Sequence, residues 1–217
     1  MFIGHFAVGL GAKKIRPEIK LGTLFLASQF IDLLWPVFLL LGLENVRVEI
    51  GNTVVTPLNF YHYPLTHSLV GVLFWALLLG ACFYAIRKSV KGAIILGVLV
   101  LSHWLLDLIA HRPDLPLLPG SGLFVGLGLW DNFYASLILE LALFALGLML
   151  YLRATKSIDK IGNIALYSLA ACLLIISLSD YYGPPPPDNP ALIGMVGLAQ
   201  LLFIPWGYWI DRHRRAS

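Results

Sequence analysis

The sequence predicts an all-α fold, a polytopic membrane helix bundle of about six transmembrane helices preceded by an N-terminal half-helix. Three observations carry that expectation. Of the 217 residues, 59% are hydrophobic and only 12% charged; apolar runs of about twenty residues recur along the chain; and basic residues gather in alternate intervening stretches. Hydrocarbon offers backbone amides no water, so a spanning chain must be helical or a closed barrel, and these runs are far longer than barrel strands. Residues 1–217 read as a single transmembrane domain.

The elements follow in order. Phe2–Ala12 is apolar, too short to span, and ends at Lys13 and Lys14. It reads as a half-helix dipping from the cytoplasmic face into the bundle, with an amphipathic helix lying on that face as the alternative. Its basic residues come after the apolar stretch, the reverse of a secretory signal. Six spans are expected over Gly22–Leu43, His67–Ile86, Gly92–Ala110, Phe133–Leu152, Gly162–Ser179 and Ala191–Ile210. None carries an obvious break, and no internal repeat relates two halves. Cys82 and Cys172 lie inside separate apolar segments, so no disulfide is expected.

Lys13, Lys14, Arg16 and Lys20 precede the first span; Arg87, Lys88 and Lys91 follow the second; Arg153, Lys156 and Lys160 follow the fourth; Arg212, Arg214 and Arg215 close the chain. Only Arg47 and Arg112 occupy the other loops. The positive-inside rule then places both termini in the cytoplasm and loops 44–66, 111–132 and 180–190 outside; a prokaryotic inner membrane is the expected location. Tyr61, Tyr63, Trp130, Tyr134, Tyr181 and Tyr182 would form an outer aromatic belt, and Pro184–Pro187 an extended outer loop. The net charge of +3 comes with no basic stripe interleaved with aromatics, which argues against a nucleic-acid partner. Oligomeric state is not readable.

Ionisable residues within spans are costly and usually face a bundle interior or aqueous cavity. At a rise of about 1.5 Å per residue, Asp32 lies roughly 18 Å beyond Lys20, His103 roughly 18 Å beyond Lys91, and Glu140 roughly 20 Å from Arg153, one level on three helices. Asp107 is one turn further out, His67 stands at the outer mouth, and His5 is about 12 Å in from Lys13. His103 and Asp107, four apart on one helical face, can bind the same ion. His111 continues that face, but Pro113 disfavours helix at Arg112, leaving His111 a rim residue or a ligand. Histidines and carboxylates without cysteine suit zinc or a similar divalent ion. Glu140 is a ligand, a general base or a protonated glutamate bonded across helices; Asp131 reads as an N-cap and Ser136 as a helix-packing serine.

His62-Tyr63-Pro64-Leu65-Thr66-His67-Ser68 resembles the H-R-G-x-T-H-S motif of the YdjM-like predicted membrane-bound metal-dependent hydrolases, and His5, Asp32 and the His103-x3-Asp107 pair fall in that family's order. That family is in turn similar to the zinc-dependent phospholipase C and P1 nuclease group. The resemblance implies that Asp32, His67, His103 and Asp107 hold one ion, and His5 with a bridging Asp107 a second. His111 and Glu140 match a third site, but Ser136 stands where that site needs a histidine. Tyr63 and Pro64 replace the family's Arg and Gly, and Phe30 an aspartate often found two residues before Asp32.

These residues together suggest a metal-dependent hydrolase of a phosphoester, lipid or lipid-linked, reaching its site from the outer side. One or two Zn²⁺ ions would activate water; Asp32 or Glu140 would take its proton; His62 and Arg112 would contact the headgroup or phosphate. The alternatives are a metal-ion or proton-coupled carrier and an inert membrane scaffold with a structural metal.

Overall fold

In the computed structural model, which describes residues 1–217, helix α1 (Phe2–Ile15) enters the bundle. Every residue from Ile3 to Ala7 is buried, and such a run exceeds one helical turn, so no face is left for a membrane surface. The surface-helix alternative is thereby set aside. Its closest neighbour is α6 (Phe133–Ala154), and the crossing depends on Gly147, where a Cβ would stand 2.4 Å from the Ala7 carbonyl oxygen and 2.7 Å from Ala7 Cα. Backbone cannot yield as a side-chain tip does. Gly147→Leu should therefore drive α1 outwards, at a cost of ~1–3 kcal/mol or more, read as a fall in the thermal midpoint of the purified protein; an unchanged midpoint would contradict this packing.

The first expected span is not one helix. The chain forms α2 (Leu21–Ser28) and α3 (Phe30–Leu40), bent by 56° at Gln29. Gln29 is neither Gly nor Pro, so the sequence carries no warning of the break. Its physical correlate is tertiary: the Ser28 carbonyl turns sideways and lies 3.1 Å from His103 Nδ1, a side-chain intrusion of the kind that kinks helices.

Helices α4 (Leu69–Arg87), α5 (Val90–Ala110), α6 and α7 (Lys160–Tyr182) are each long and apolar enough to cross a membrane, as is the pair α8 (Pro190–Leu198) and α9 (Phe203–Arg212), joined by a 3-10 turn over Ala199–Leu202. The bent α2–α3 pair, taken as one span, is long and apolar enough for a sixth crossing. Side chains of Ser68, Ser89, Asp159 and Asn189 cap α4, α5, α7 and α8 by accepting first-turn amides. For α6 the cap is Asn132, whose Oδ1 accepts from the Ala135 amide at 3.0 Å. Asp131, expected in that role, instead ends a preceding 3-10 turn.

Three antiparallel strand pairs, unanticipated in the sequence, close the ends: β1 (Asn45–Val48) with β2 (Leu58–His62), β3 (Leu115–Pro116) with β4 (Phe124–Val125), and β5 (Thr155–Ser157) with β6 (Arg214–Ala216). Pro184–Pro187 has no regular structure. At the basic end, buried Lys13 donates to Asp211 Oδ2, and Tyr151 donates to Asp211 Oδ1 at 2.9 Å. Phe6, Leu10, Leu21, Phe25, Leu166 and Leu173 fill the interior between that end and the polar residues above.

Candidate metal centre

The broken span, the α1 half-helix, the loop before α4 and α5 bring His5, Asp32, His67, His103 and Asp107 together. His103 Nε2 lies 3.4 Å from Asp32 Oδ1 and 3.2 Å from Asp107 Oδ2. His67 Nε2 lies 3.5 Å from the same Asp32 oxygen and 3.9 Å from the same Asp107 oxygen. Two imidazole nitrogens and two carboxylate oxygens thus surround one point.

Hydrogen bonding on the far side of each ring sets its tautomer. His103 Nδ1 faces the Ser28 carbonyl, which can only accept, so the proton sits on Nδ1 and Nε2 carries a lone pair in the neutral ring. Thr66 Oγ1 lies 2.6 Å from Glu44 Oε2 and 2.7 Å from His67 Nδ1. The Thr66 hydroxyl has one proton and gives it to the Glu44 carboxylate, so it accepts from His67 Nδ1–H and leaves His67 Nε2 a lone pair. Glu44 is fully buried and also accepts the Leu65 and Thr66 amides, each at 2.8 Å, fixing the loop that carries His67.

Two lone pairs then face two anionic oxygens. His103 Nε2 is buried with no hydrogen-bond partner, an arrangement that is repulsive unless a metal cation, or a proton on one of the rings, lies among the four atoms. Four donors of N and O type suit a tetrahedral divalent ion such as zinc. Asp32, His67 and His103 form one group of ligand atoms lying within 4.8 Å of one another, and His5, His103 and Asp107 another. His103 belongs to both groups, so they adjoin one another.

His5, expected as a ligand, belongs to the second of these groups. Its Nε2 is 3.1 Å from Asp107 Oδ1, the oxygen turned away from His67 and His103, and its ring stacks on His103 at 3.6 Å between centroids. Donation from Nε2 orients the Asp107 carboxylate so that Oδ2 faces the centre. The Met1 amine also donates to Asp107 Oδ1, at 3.0 Å.

The centre forms part of the wall of a cavity of about 790 Å³, well within the range of small-molecule sites. Glu140 lines the same cavity from α6, but its oxygens accept from the Ile3 amide at 3.2 Å and the Tyr181 hydroxyl at 3.4 Å rather than joining the four donors. Ser136 accepts from Tyr181 at 3.0 Å. Tyr63, Trp130 and Tyr181 therefore turn inward, and of the expected aromatic belt only Tyr61, Tyr134 and Tyr182 are exposed. Trp35, Leu192, Ile193 and Val196 give the cavity an apolar side, and Pro184–Pro187 with the 50–57 loop its roof.

Four carboxylates line the cavity, Asp32, Asp107, Glu140 and Asp180, and no lysine or arginine does. Arg112, expected to meet a phosphate, is held by Asp114 Oδ2 at 3.0 Å and Asn59 Oδ1 at 3.1 Å. His62 is exposed at the end of β2, paired with Asn45, and does not line the cavity. His111 does line it, just past the end of α5, with Nδ1 3.0 Å from Asp114 Oδ1 and its ring against Trp130. Tyr63, standing where the motif has arginine, donates to Asp114 at 3.2 Å.

Burial raises the Asp114 carboxyl, but the hydrogen bonds and charges of His111 and Arg112 outweigh it and hold the group below its ordinary 3.8. A depressed carboxylate stabilises the fold above its ordinary value and ceases to do so as pH falls through the depressed one. Asp114→Asn should accordingly lower the thermal midpoint near neutrality, and the gap from wild type should close in acid below 3.8; a gap independent of pH would contradict the ion-paired state.

The family model described as YdjM inner membrane protein matches residues 1–183. The chain belongs to that family. The matched YdjM region takes in all five residues of the cluster together with Glu44, His111 and Glu140, and ends just past α7. Membership makes this an inner membrane protein, in keeping with its apolar helices. No curated protein and no solved structure matches the chain.

Proposed function

We propose that this YdjM-family protein is a metal-dependent hydrolase of a phosphoester carried on a lipid or lipid-linked substrate. The observation that carries the reading is the convergence of Asp32, His67, His103 and Asp107 on one point in the wall of a half-apolar cavity. A single divalent ion, zinc by the chemistry of the donors, supplies a Lewis acid and the means of ionising water near neutrality. Because the cavity has no lysine or arginine, and the Met1 amine in its wall is already paired with Asp107, that ion would be the main cation offered to the phosphate.

The chain's own residues do the rest. Asp32 turns Oδ1 to the histidines, while Oδ2 has no protein partner and its side chain is 25% exposed, so Oδ2 is placed to take a proton from the attacking water. Glu140 anchors the α1 amide at Ile3 and holds the Tyr181 hydroxyl at the cavity wall. The side formed by Trp35, Leu192, Ile193 and Val196 suits the apolar part of a lipid, and the basic residues at the opposite end of the bundle support a cavity that opens to the outer side. The His103-x3-Asp107 pair resembles the one by which the phospholipase C and P1 nuclease group holds its ions, and that resemblance suggests the same chemistry.

One observation favours a second reading, a cation carrier: the span is broken at Gln29, and interrupted helices are common at transporter sites. The packed side chains of Phe6, Leu10, Leu21 and Phe25 between the centre and the basic end weigh against a through path. The deciding experiment assays zinc-loaded protein in nanodiscs against a panel of phospholipid and lipid-linked phosphoesters, alongside cation uptake into proteoliposomes. Turnover that is lost in Asp32→Asn supports the hydrolase. Uptake dependent on His103 with no turnover would replace it by the carrier, and a metal-loaded protein inert in both assays by the scaffold.

A further inference from the structure

A second cavity, of about 520 Å³, opens at the basic end of the bundle among α2, α4 and α5 and shares no lining residue with the first. One side is apolar, formed by Leu26, Leu79, Phe83, Ile86 and Leu96, and the rim carries Lys20, Arg87 and Ser89. Lys20 and Ser89 are the N-cap residues of α2 and α5. Two helix N-termini, each with partial positive charge, therefore meet the same rim as two cationic side chains. The rim's one carboxylate, Glu18, is already paired with Arg16, and the Thr23 and Tyr208 hydroxyls join at 2.7 Å along the α9 side.

We propose that this groove binds one anionic phospholipid, with its phosphate at Lys20 and Arg87 and an acyl chain along Leu26, Leu79, Phe83 and Leu96. The two halves of the groove demand an amphiphile. A soluble phosphate gains nothing from the apolar side, and a zwitterionic lipid brings its own cation to a rim that already holds two. Arg87 ends α4, and α5 begins at Val90, so the rim stands at headgroup level on the face that the positive-inside rule assigns to the cytoplasm, where basic pockets between helices collect anionic headgroups. The inference is independent of the chemistry proposed for the other cavity.

The test is native mass spectrometry of the full chain titrated with phosphatidylglycerol or with phosphatidylcholine of the same acyl length. The expected result is one phosphatidylglycerol bound in preference to phosphatidylcholine. Each basic residue contributes about five-fold in affinity, so the exposed double variant Lys20→Gln/Arg87→Gln should bind roughly thirty-fold more weakly. Leu79→Trp, which fills the apolar half and leaves the charges in place, should also weaken binding. Equal binding of both lipids, or an undiminished preference in the double variant, would overturn the proposal. Thermal protection by inorganic phosphate equal to that by the lipid would overturn the assignment to a lipid.

Discussion

Asp107→Ala should abolish both metal retention and turnover, the largest loss expected from any single side chain in this protein. Asp107 is the one carboxylate that works on both faces: Oδ2 stands 3.2 Å from His103 Nε2 at the centre, while Oδ1 takes the His5 ring at 3.1 Å and the Met1 amine at 3.0 Å. Removing it strips a ligand and leaves His5 and the amine without their acceptor, buried, which costs about 1–3 kcal/mol for each such group. Asp107→Asn, which keeps the shape and loses the charge, separates these effects, since it should retain more of the fold while still failing to hold a divalent ion. His5→Ala should be milder than either, because His5 reaches the centre through Asp107. Full metal stoichiometry in Asp107→Ala would count decisively against the ligand assignment.

The second large effect is expected at a residue that touches no ligand atom. Glu44→Ala should weaken metal binding on the order of 10–100-fold, the usual consequence of losing the partner that orients a ligating histidine. Without the carboxylate, the Thr66 hydroxyl no longer has its acceptor at 2.6 Å and is free to donate to His67 Nδ1. The ring proton then moves to Nε2, where it blocks the lone pair needed by the ion. Thr66→Val should reproduce much of the loss, and Glu44→Gln should recover part of it, because a Gln carbonyl still accepts the Leu65 and Thr66 amides. The relay is read from the tautomer of His67 by nitrogen NMR together with the zinc dissociation constant. A lowered thermal midpoint with both quantities unchanged would reduce Glu44 to a loop anchor.

These two residues also mark where the sequence was informative. Asp32, His103 and Asp107 stand out because an ionisable group in an apolar run has few physical excuses, and the i, i+4 spacing of the latter two puts them on one face. The spans were legible for the same reason, since length and apolarity are what hydrocarbon selects. Glu44 follows Leu43 in a loop that reads as solvated, and nothing local distinguishes it from a surface charge; only the fold shows that it receives the His67 loop. The break at Gln29 was equally hidden, because the His103 ring meeting the Ser28 carbonyl comes from 75 residues away. Arg112 misled in the opposite direction. It follows directly on His111 at the expected mouth, and its guanidinium proves to be taken up by Asp114 and Asn59.

The departure at Tyr63 belongs with that network. Where the motif has an arginine, the buried tyrosine ring lies 5.0 Å from the His67 ring and its hydroxyl donates to Asp114. With Arg112 also bound to Asp114, the chain keeps a cation near the mouth but spends it on loop structure, leaving the cavity acidic.

The claim on which the rest depends is that four side-chain atoms hold a metal ion, and elemental analysis of protein purified in detergent without added metal tests it most directly. Wild type should carry about one equivalent of a divalent metal, zinc by the donor chemistry, and His103→Ala should carry almost none. A wild-type protein that stays metal-free after reconstitution with zinc, or a His103→Ala variant that binds as much as wild type, would contradict the account.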